Sequence, residues 1–278
     1  MTLEKMVEIV EETTPAYYFD LNGFEHREIF YGTEFVWDAL KKLDSYIKKI
    51  KPGILGNIDS KAEIGNNVYI GKNTIIEANA RIIGPAYIGE NCLIRSNAYI
   101  RENVIIGSNT KIGQSAELKH CIIIGGSENE DGKRSSAAHY NYIGYSVIGK
   151  NVLFGARTTT SSLRLDRREI IVNVNGNKYN TGMKQFGSII GDNAAIGSHI
   201  CLNPGSLIGK RSFIYEIPYW RGFLPSDKIA KSRNLKESIE ITERNKKLIE
   251  DEDIEITERN KKLIEDEEVQ LIKIKNLD

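Results

Sequence analysis

Reading every sixth residue from Ile58 returns Ile58, Ile64, Ile70, Ile76, Ile82, Ile88, Ile94, Ile100, Ile106, Ile112 and Leu118, an unbroken aliphatic register. Four places after each aliphatic residue stands one that is nearly always small: Ala62, Val68, Thr74, Ala80, Ala86, Cys92, Ala98, Val104, Thr110 and Ala116. Glycine follows the aliphatic residue at Gly65, Gly71, Gly89, Gly107 and Gly113. A helix needs apolar positions at a spacing of about 3.6, and hairpin strands need period two with turn pairs between them; a period of six fits neither. It fits short strands joined by turns. The branched residue points inward, the small one fills a narrow corner, and glycine or asparagine tolerates the turn backbone. Three such hexads close one triangular coil, and successive coils stack as parallel strands about 4.8 Å apart. One coil cannot bury its own face, so stability comes from stacked neighbours. The sequence therefore predicts an all-β fold, a left-handed parallel β-helix of hexapeptide repeats.

The register returns at Ile143–Gly144, Ile148–Gly149 and Phe154–Gly155, then at Ile190–Gly191, Ile196–Gly197, Leu202 and Ile208–Gly209. Two insertions separate these runs. Gly125 to Ala138 reads GGSENEDGKRSSAA, a polar loop. About Asp166 to Ser188 contains the alternating EIIVNVNGNKYN, which predicts a hairpin turning at Asn175–Gly176. Loops on a rigid scaffold are where sites are usually built.

Both ends depart from the hexads. Residues 1–57 gather Tyr17, Tyr18, Phe19, Phe24, Phe30, Tyr31, Phe35 and Trp37. A helix follows, with Val36, Leu40, Leu43, Ile47 and Ile50 on one face and Pro52–Gly53 at its end. This segment is expected to seal the open core of the first coil, since solenoid ends need caps. A sugar-stacking platform is the other reading of its aromatic residues. After Trp220 the hexads stop. The stretch IEITERNKKLIEDED at 239–253 recurs at 254–268 with one change, Asp253 to Glu268, and its charge and spacing fit a helical or solvated tail. The expected organisation is an N-terminal cap over 1–57, a β-helix domain over 58–217 with loops 125–138 and 166–188, and a C-terminal extension over 218–278.

Lysine plus arginine equals aspartate plus glutamate, 38 against 38. No basic excess is available to neutralise the phosphates of a nucleic acid. The first fifteen residues mix acid with base and lack a long apolar run, so no secretory signal is expected. No stretch approaches the roughly 20 apolar residues that span a bilayer. Cys92, Cys121 and Cys201 are scattered without CxxC spacing. That pattern speaks against a disulfide framework and a zinc site, and fits buried thiols in a cytoplasmic protein.

One segment carries chemistry. His139-Tyr-Asn-Tyr142-Ile-Gly is followed by Ser146-Val-Ile-Gly-Lys-Asn-Val-Leu-Phe-Gly-Ala156, then Thr158-Thr-Thr and Leu163-Arg-Leu-Asp166. The hexads resemble those of the hexapeptide-repeat acyltransferases. This histidine-centred run resembles the HxxYxGDxxIGxxxNxGAGTxTxN signature in the acetyltransferase half of the bifunctional N-acetylglucosamine-1-phosphate uridyltransferase/glucosamine-1-phosphate acetyltransferases, with the likeness extending from about Arg101 to Ile217. No counterpart of the family's nucleotidyltransferase domain is expected within these residues, since 57 residues cannot hold it and they carry no glycine-rich phosphate loop.

The resemblance implies a homotrimer with active sites between adjacent β-helices. It implies acetyl-CoA as co-substrate and an amino-sugar phosphate as acceptor. By motif position His139 would be the general base, a task that suits a neutral imidazole near pH 7. Arg101 and Lys119 fall where the family grips the sugar phosphate, Tyr142 matches a substrate-contacting tyrosine, and Ser162 takes the place of an asparagine that positions substrate. The Ala156 amide and Ser198 fall beside the thioester and pantetheine, where backbone N–H groups serve the oxyanion. His26, His120 and His199 are expected to be structural. The chain departs from the family at five positions: Tyr145 for an aspartate, Leu153 for an asparagine, Arg157 for a glycine, Ser162 for an asparagine, and Glu216 for a small residue along the CoA channel. Two functions follow. One is an N-acetyltransferase of cell-envelope precursor synthesis; the other is a non-catalytic trimeric binding or assembly module.

Overall fold

The computed structural model describes residues 10–126, 135–215, 217–231 and 238–240. Glu216, the 127–134 stretch and residues 241–278, which hold nearly all of the duplication, lie outside the described residues.

Short parallel strands form three faces of a triangular coil. The first face runs from Gly53–Ile54 to Phe223–Leu224, the second from Asn57–Ile58 to Lys228–Lys231, and the third from Glu63–Ile64 to Tyr219–Trp220. Strand pairing aligns the predicted inward residues coil upon coil: on the first face Ile70 pairs with Ile88, Ile88 with Ile106, and Ile190 with Ile208. The inward aliphatics from Ile70 to Leu118 are fully buried, with Ala80, Cys92, Ala98 and Ala116 in the corners. The sequence period and the pairing thus give one left-handed β-helix.

The turns assign different tasks to asparagine and glycine, where the sequence reading had treated them alike. Asn67, Asn73, Asn79, Asn91, Asn97, Asn103 and Asn109 hold φ between 54° and 61°, a left-handed conformation that asparagine tolerates better than most residues. The glycine after each aliphatic residue is not in that region. It is there for clearance: a Cβ on Gly71 would meet the Gly89 carbonyl carbon at 2.6 Å, and one on Gly89 would meet the Ser108 nitrogen at 2.6 Å.

Three departures from the simple hexad count have local causes. The corner at His120 is one residue short, so Ile123, and not Ile124, points inward opposite Ile106. A one-residue slip exchanges the faces of a strand. Ser135–His139 is a strand of the second face paired with Thr110–Gln114, so the inserted loop ends earlier than expected, and Ala137 enters the core in an aliphatic place. The coil also continues past Trp220: Ile208 pairs with Leu224 and Ile214 with Ala230. The count loses this coil because Leu224 follows Trp220 by four residues instead of six.

Among the described residues, the N-terminal segment does not close the end of the coil. It lies along the outside of the first face, where Tyr18, Phe19, Phe24, Phe30, Trp37, Leu40 and Leu43 pack on Tyr87, Ile105, Ile122, Val147, Ile189 and Leu207. That face is apolar on both sides, as strands covered on both sides usually are. Burying each such aliphatic side chain stabilises by about 1.5–3 kcal/mol. Helix Asp38–Ile47 buries Ala39, Leu40, Leu43 and Ile47. The second insertion forms the antiparallel pair Ile171–Val174 and Asn177–Asn180, turning at Asn175 and Gly176 with φ of 50° and 89°. Its Tyr179, with Phe186, joins Trp37 in the same layer. Buried Asp192 fastens the segment: its carboxylate accepts N–H bonds from Asp20 (2.6 Å) and Lys150 (2.8 Å).

Candidate functional site at one corner of the coil

His139 ends its strand at the corner between the second and third faces. Gln114 pairs with His139, Ala137 with Phe154, and Phe154 with Ile196. Two residues beyond each of the last three stand His139, Ala156 and Ser198, one above another at the coil spacing of about 4.8 Å. Cross-coil bonds fix the column: the Arg157 N–H donates to the His139 carbonyl (2.9 Å) and the His199 N–H to the Ala156 carbonyl (2.8 Å). His139 and Ser198 are exposed. The Ala156 amide is already paired, donating to Ser198 Oγ at 3.1 Å.

Arg101, Lys119, Tyr142 and Ser162 gather on the adjoining third face. Tyr99 pairs with Glu117 and Glu117 with Tyr142, while Lys119 pairs with Gly144. Both cations have acidic partners. Arg101 Nη1 donates to Glu117 Oε1 at 2.8 Å, and Lys119 Nζ lies 3.5 Å from Glu102 Oε1. The hydrogen bond to Glu117 raises the Arg101 guanidinium further above its ordinary value. Glu102 is held below the usual carboxylate range, first by its own backbone N–H and then by the charges of Lys119 and Arg101. Burial lifts the Tyr142 phenol, against the Ser162 hydroxyl, which stabilises its ionised form. The buried Ser162 also accepts the Phe186 N–H through its carbonyl (2.9 Å), which ties it to the end of the inserted hairpin.

Three of the residues that depart from the family pattern, Tyr145, Leu153 and Arg157, lie on the coils that carry these residues. Tyr145 stacks on His120, with centroids 4.7 Å apart and planes at 26°, and lies under Lys119. Arg157 sits 5.9 Å from the centre of the Tyr140 ring, and Leu153 is exposed on the second face. His120, Tyr140, Tyr145 and Arg157 all have φ between 46° and 60°. Bulky residues are unusual there, so larger side chains have replaced the asparagine turn at two corners, Tyr140 and Arg157 at the His139 corner and His120 and Tyr145 at the corner between the third and first faces.

Sequence reasoning missed two supports. Asn141 is buried in a corner place that alanine fills one coil earlier. Its Oδ1 accepts the His139 N–H (3.1 Å), and its Nδ2 donates to the carbonyls of Gly155 (2.8 Å) and Thr158 (3.2 Å). His120 Nε2 donates to the Leu40 carbonyl (3.1 Å), which leaves Nδ1 to accept from Asn103 (3.4 Å); this network assigns the tautomer. The N-terminal helix thereby backs the Tyr145–Lys119 stack. The polar residue at an alanine position was the visible signal for Asn141; nothing local announces the His120 contact.

Among the described residues, no group of three or more His, Cys, Asp or Glu side chains could hold a metal ion, and no helix is long and apolar enough to cross a membrane. Residues 85–125 match the bacterial transferase hexapeptide model, which describes six repeats. The chain is a hexapeptide-repeat β-helix. It is similar to the bifunctional protein GlmU of Methanococcus vannielii, 34% identical over 203 residues, 73% of this chain and 46% of that protein. Methanococcus maripaludis strain C7 has a bifunctional protein GlmU 45% identical over 197 residues, 70% of this chain and 45% of that protein. The chain thus spans about half the length of the curated relatives it matches. A UDP-N-acetylglucosamine acyltransferase of Francisella novicida covers 69% of each chain at 20% identity and a TM-score of 0.31, too distant to bear on function.

Proposed function

We propose that this hexapeptide-repeat protein is an acyl-CoA-dependent N-acetyltransferase whose acceptor is an amino-sugar phosphate or sugar nucleotide. The observation that carries the reading is the stacked column of His139, Ala156 and Ser198, beside a face bearing Arg101, Lys119, Tyr142 and Ser162. The similarity to bifunctional GlmU proteins supports it.

In this reading His139 takes a proton from the acceptor amine as the nitrogen lone pair attacks the acyl carbon. The tetrahedral centre collapses, the C–S bond breaks, and the thiol leaves with a proton. A positioned base of this kind is worth about 10²–10⁴ in rate. The developing oxyanion would take the Ala156 N–H, so the Ser198 hydroxyl must yield that hydrogen bond. An acceptor phosphate would compete with Glu117 for Arg101 and with Glu102 for Lys119, because cationic side chains bind phosphate oxygens by charge-assisted hydrogen bonds.

Trimerisation belongs to the same proposal. The first face is covered by the chain's own N-terminal segment, so neighbouring copies would pack through the other two faces, which flank the His139 corner. The second reading is a non-catalytic trimeric module, and the Ala156–Ser198 bond favours it, since the oxyanion donor is already satisfied. Thermal shift with acetyl-CoA and thiol release with glucosamine 1-phosphate separate the two. Stabilisation together with acceptor-dependent thiol release supports transfer. No shift, and no release with any amino-sugar phosphate, leaves the module.

A further inference from the structure

A second site stands at a different corner. Between the loop Asn22–His26 and the turns joining the first face to the second lies a cavity of about 350 Å³. The His139 column is at the corner between the second and third faces. The cavity loop is pinned at its start, where the Asp20 N–H donates to Asp192 and Lys150 Nζ donates to the Asn22 carbonyl.

Phe24 and Tyr87 give the cavity aromatic surface, and Ser108 and Asn109 line it with polar groups. His26 lies edge-on to Tyr87, with ring centroids 4.1 Å apart, and its Nδ1 is 3.1 Å from the Tyr46 hydroxyl. Its other nitrogen, Nε2, is buried without a hydrogen-bond partner. Buried polar atoms are rarely left so.

Charge points to the class of ligand. Glu25 and Glu90 both line the cavity, and among the described residues neither carboxylate has an ion-pair partner. They are near enough that the Glu90 charge, after burial, raises the Glu25 carboxyl above its ordinary value. Lys150, the lysine of the lining, lies 3.5 Å from Asp20 and cannot offset both. A lining with excess negative charge repels phosphates and carboxylates. The volume is at the small end for ligand sites, which run from about 300 to 1,000 Å³, and suits a single sugar ring.

We propose that this cavity binds a small polyhydroxylated cation, an amino sugar being the simplest, with its ammonium between Glu25 and Glu90 and a hydroxyl on Ser108. Ser108 Oγ accepts the Glu90 N–H at 2.9 Å and keeps its own proton to donate. Tyr87 and Phe24 supply flat apolar surface for the ring.

Isothermal titration of the full chain with glucosamine, glucose and N-acetylglucosamine tests this. The result expected is saturable glucosamine binding that is at least tenfold tighter than that of either uncharged sugar. Combined Glu25→Gln and Glu90→Gln substitution should weaken it at least tenfold with an unchanged circular dichroism spectrum. Equal binding of glucose, full binding by the double variant, or no binding at all overturns the proposal.

Discussion

His26 should make folding stability depend on pH between about 6.5 and 4. Burial beside Tyr87 and Phe24 lowers its folded pKa from 6.5 to about 4. An imidazole depressed in the fold binds its proton more readily in the unfolded chain. The stability this confers is complete above about pH 6.5 and is lost as pH falls towards the folded value. At about 1.4 kcal/mol per unit, a fall from 6.5 to about 4 corresponds to roughly 3 kcal/mol lost across that window. Other groups titrate in the same range, so the variant His26→Phe isolates the effect. It keeps a flat ring against Tyr87 and removes the titration, at the cost of the Tyr46 contact, about 1 kcal/mol at neutral pH. Urea unfolding of both proteins at half-unit steps from pH 4 to 7.5 measures the difference. The wild type should lose about 3 kcal/mol relative to His26→Phe on going from pH 7 to 4. Parallel curves would refute the assignment of a buried neutral imidazole.

Ile88→Asp should destabilise by several kcal/mol, because an unpaired carboxylate enters a dry core. Tyr87→Asp, on the opposite side of the strand, should be nearly as damaging, since Tyr87 is buried against Tyr69 under the N-terminal segment. An exposed position such as Ile75, 48% accessible, is the mild comparison in a monomeric chain; equal melting temperatures for Ile75→Asp and Ile88→Asp would contradict the register. Asp192→Ala removes the acceptor of two part-buried N–H donors and should cost about 1–2 kcal/mol, read as a lower denaturant midpoint; an unchanged midpoint would mean that the segment is held elsewhere. Arg101→Ala should raise the KM of a phosphorylated acceptor with little change in kcat, and a kcat effect alone would count against phosphate binding.

The inward half of the fold was legible because one side chain in six must be aliphatic for any coil to stack. The outward half was less so. Ile105–Ile106, Ile122–Ile123, Val147–Ile148, Ile189–Ile190 and Leu207–Ile208 are apolar doublets. The second member of each serves the core, and the first faces the N-terminal segment. Those first members are why the aromatic segment lies along the first face and does not cap an end, and the segment in turn buries Tyr87. Around the His139 corner the motif named the residues. It could not show that Glu117 and Glu102 occupy Arg101 and Lys119, because those pairings depend on strand register across coils.

The central claim is that His139 is the base of an acyl transfer. Its most direct test is thiol release from acetyl-CoA with glucosamine 1-phosphate, across pH, for wild type and His139→Ala. The residue is exposed at a strand end, so truncation opens no core cavity and the fold should persist by circular dichroism. The account predicts a kcat lower by about 10²–10⁴, together with loss of the pH dependence that an imidazole imposes. An active wild type whose His139→Ala variant keeps the full rate and the same pH profile would contradict it.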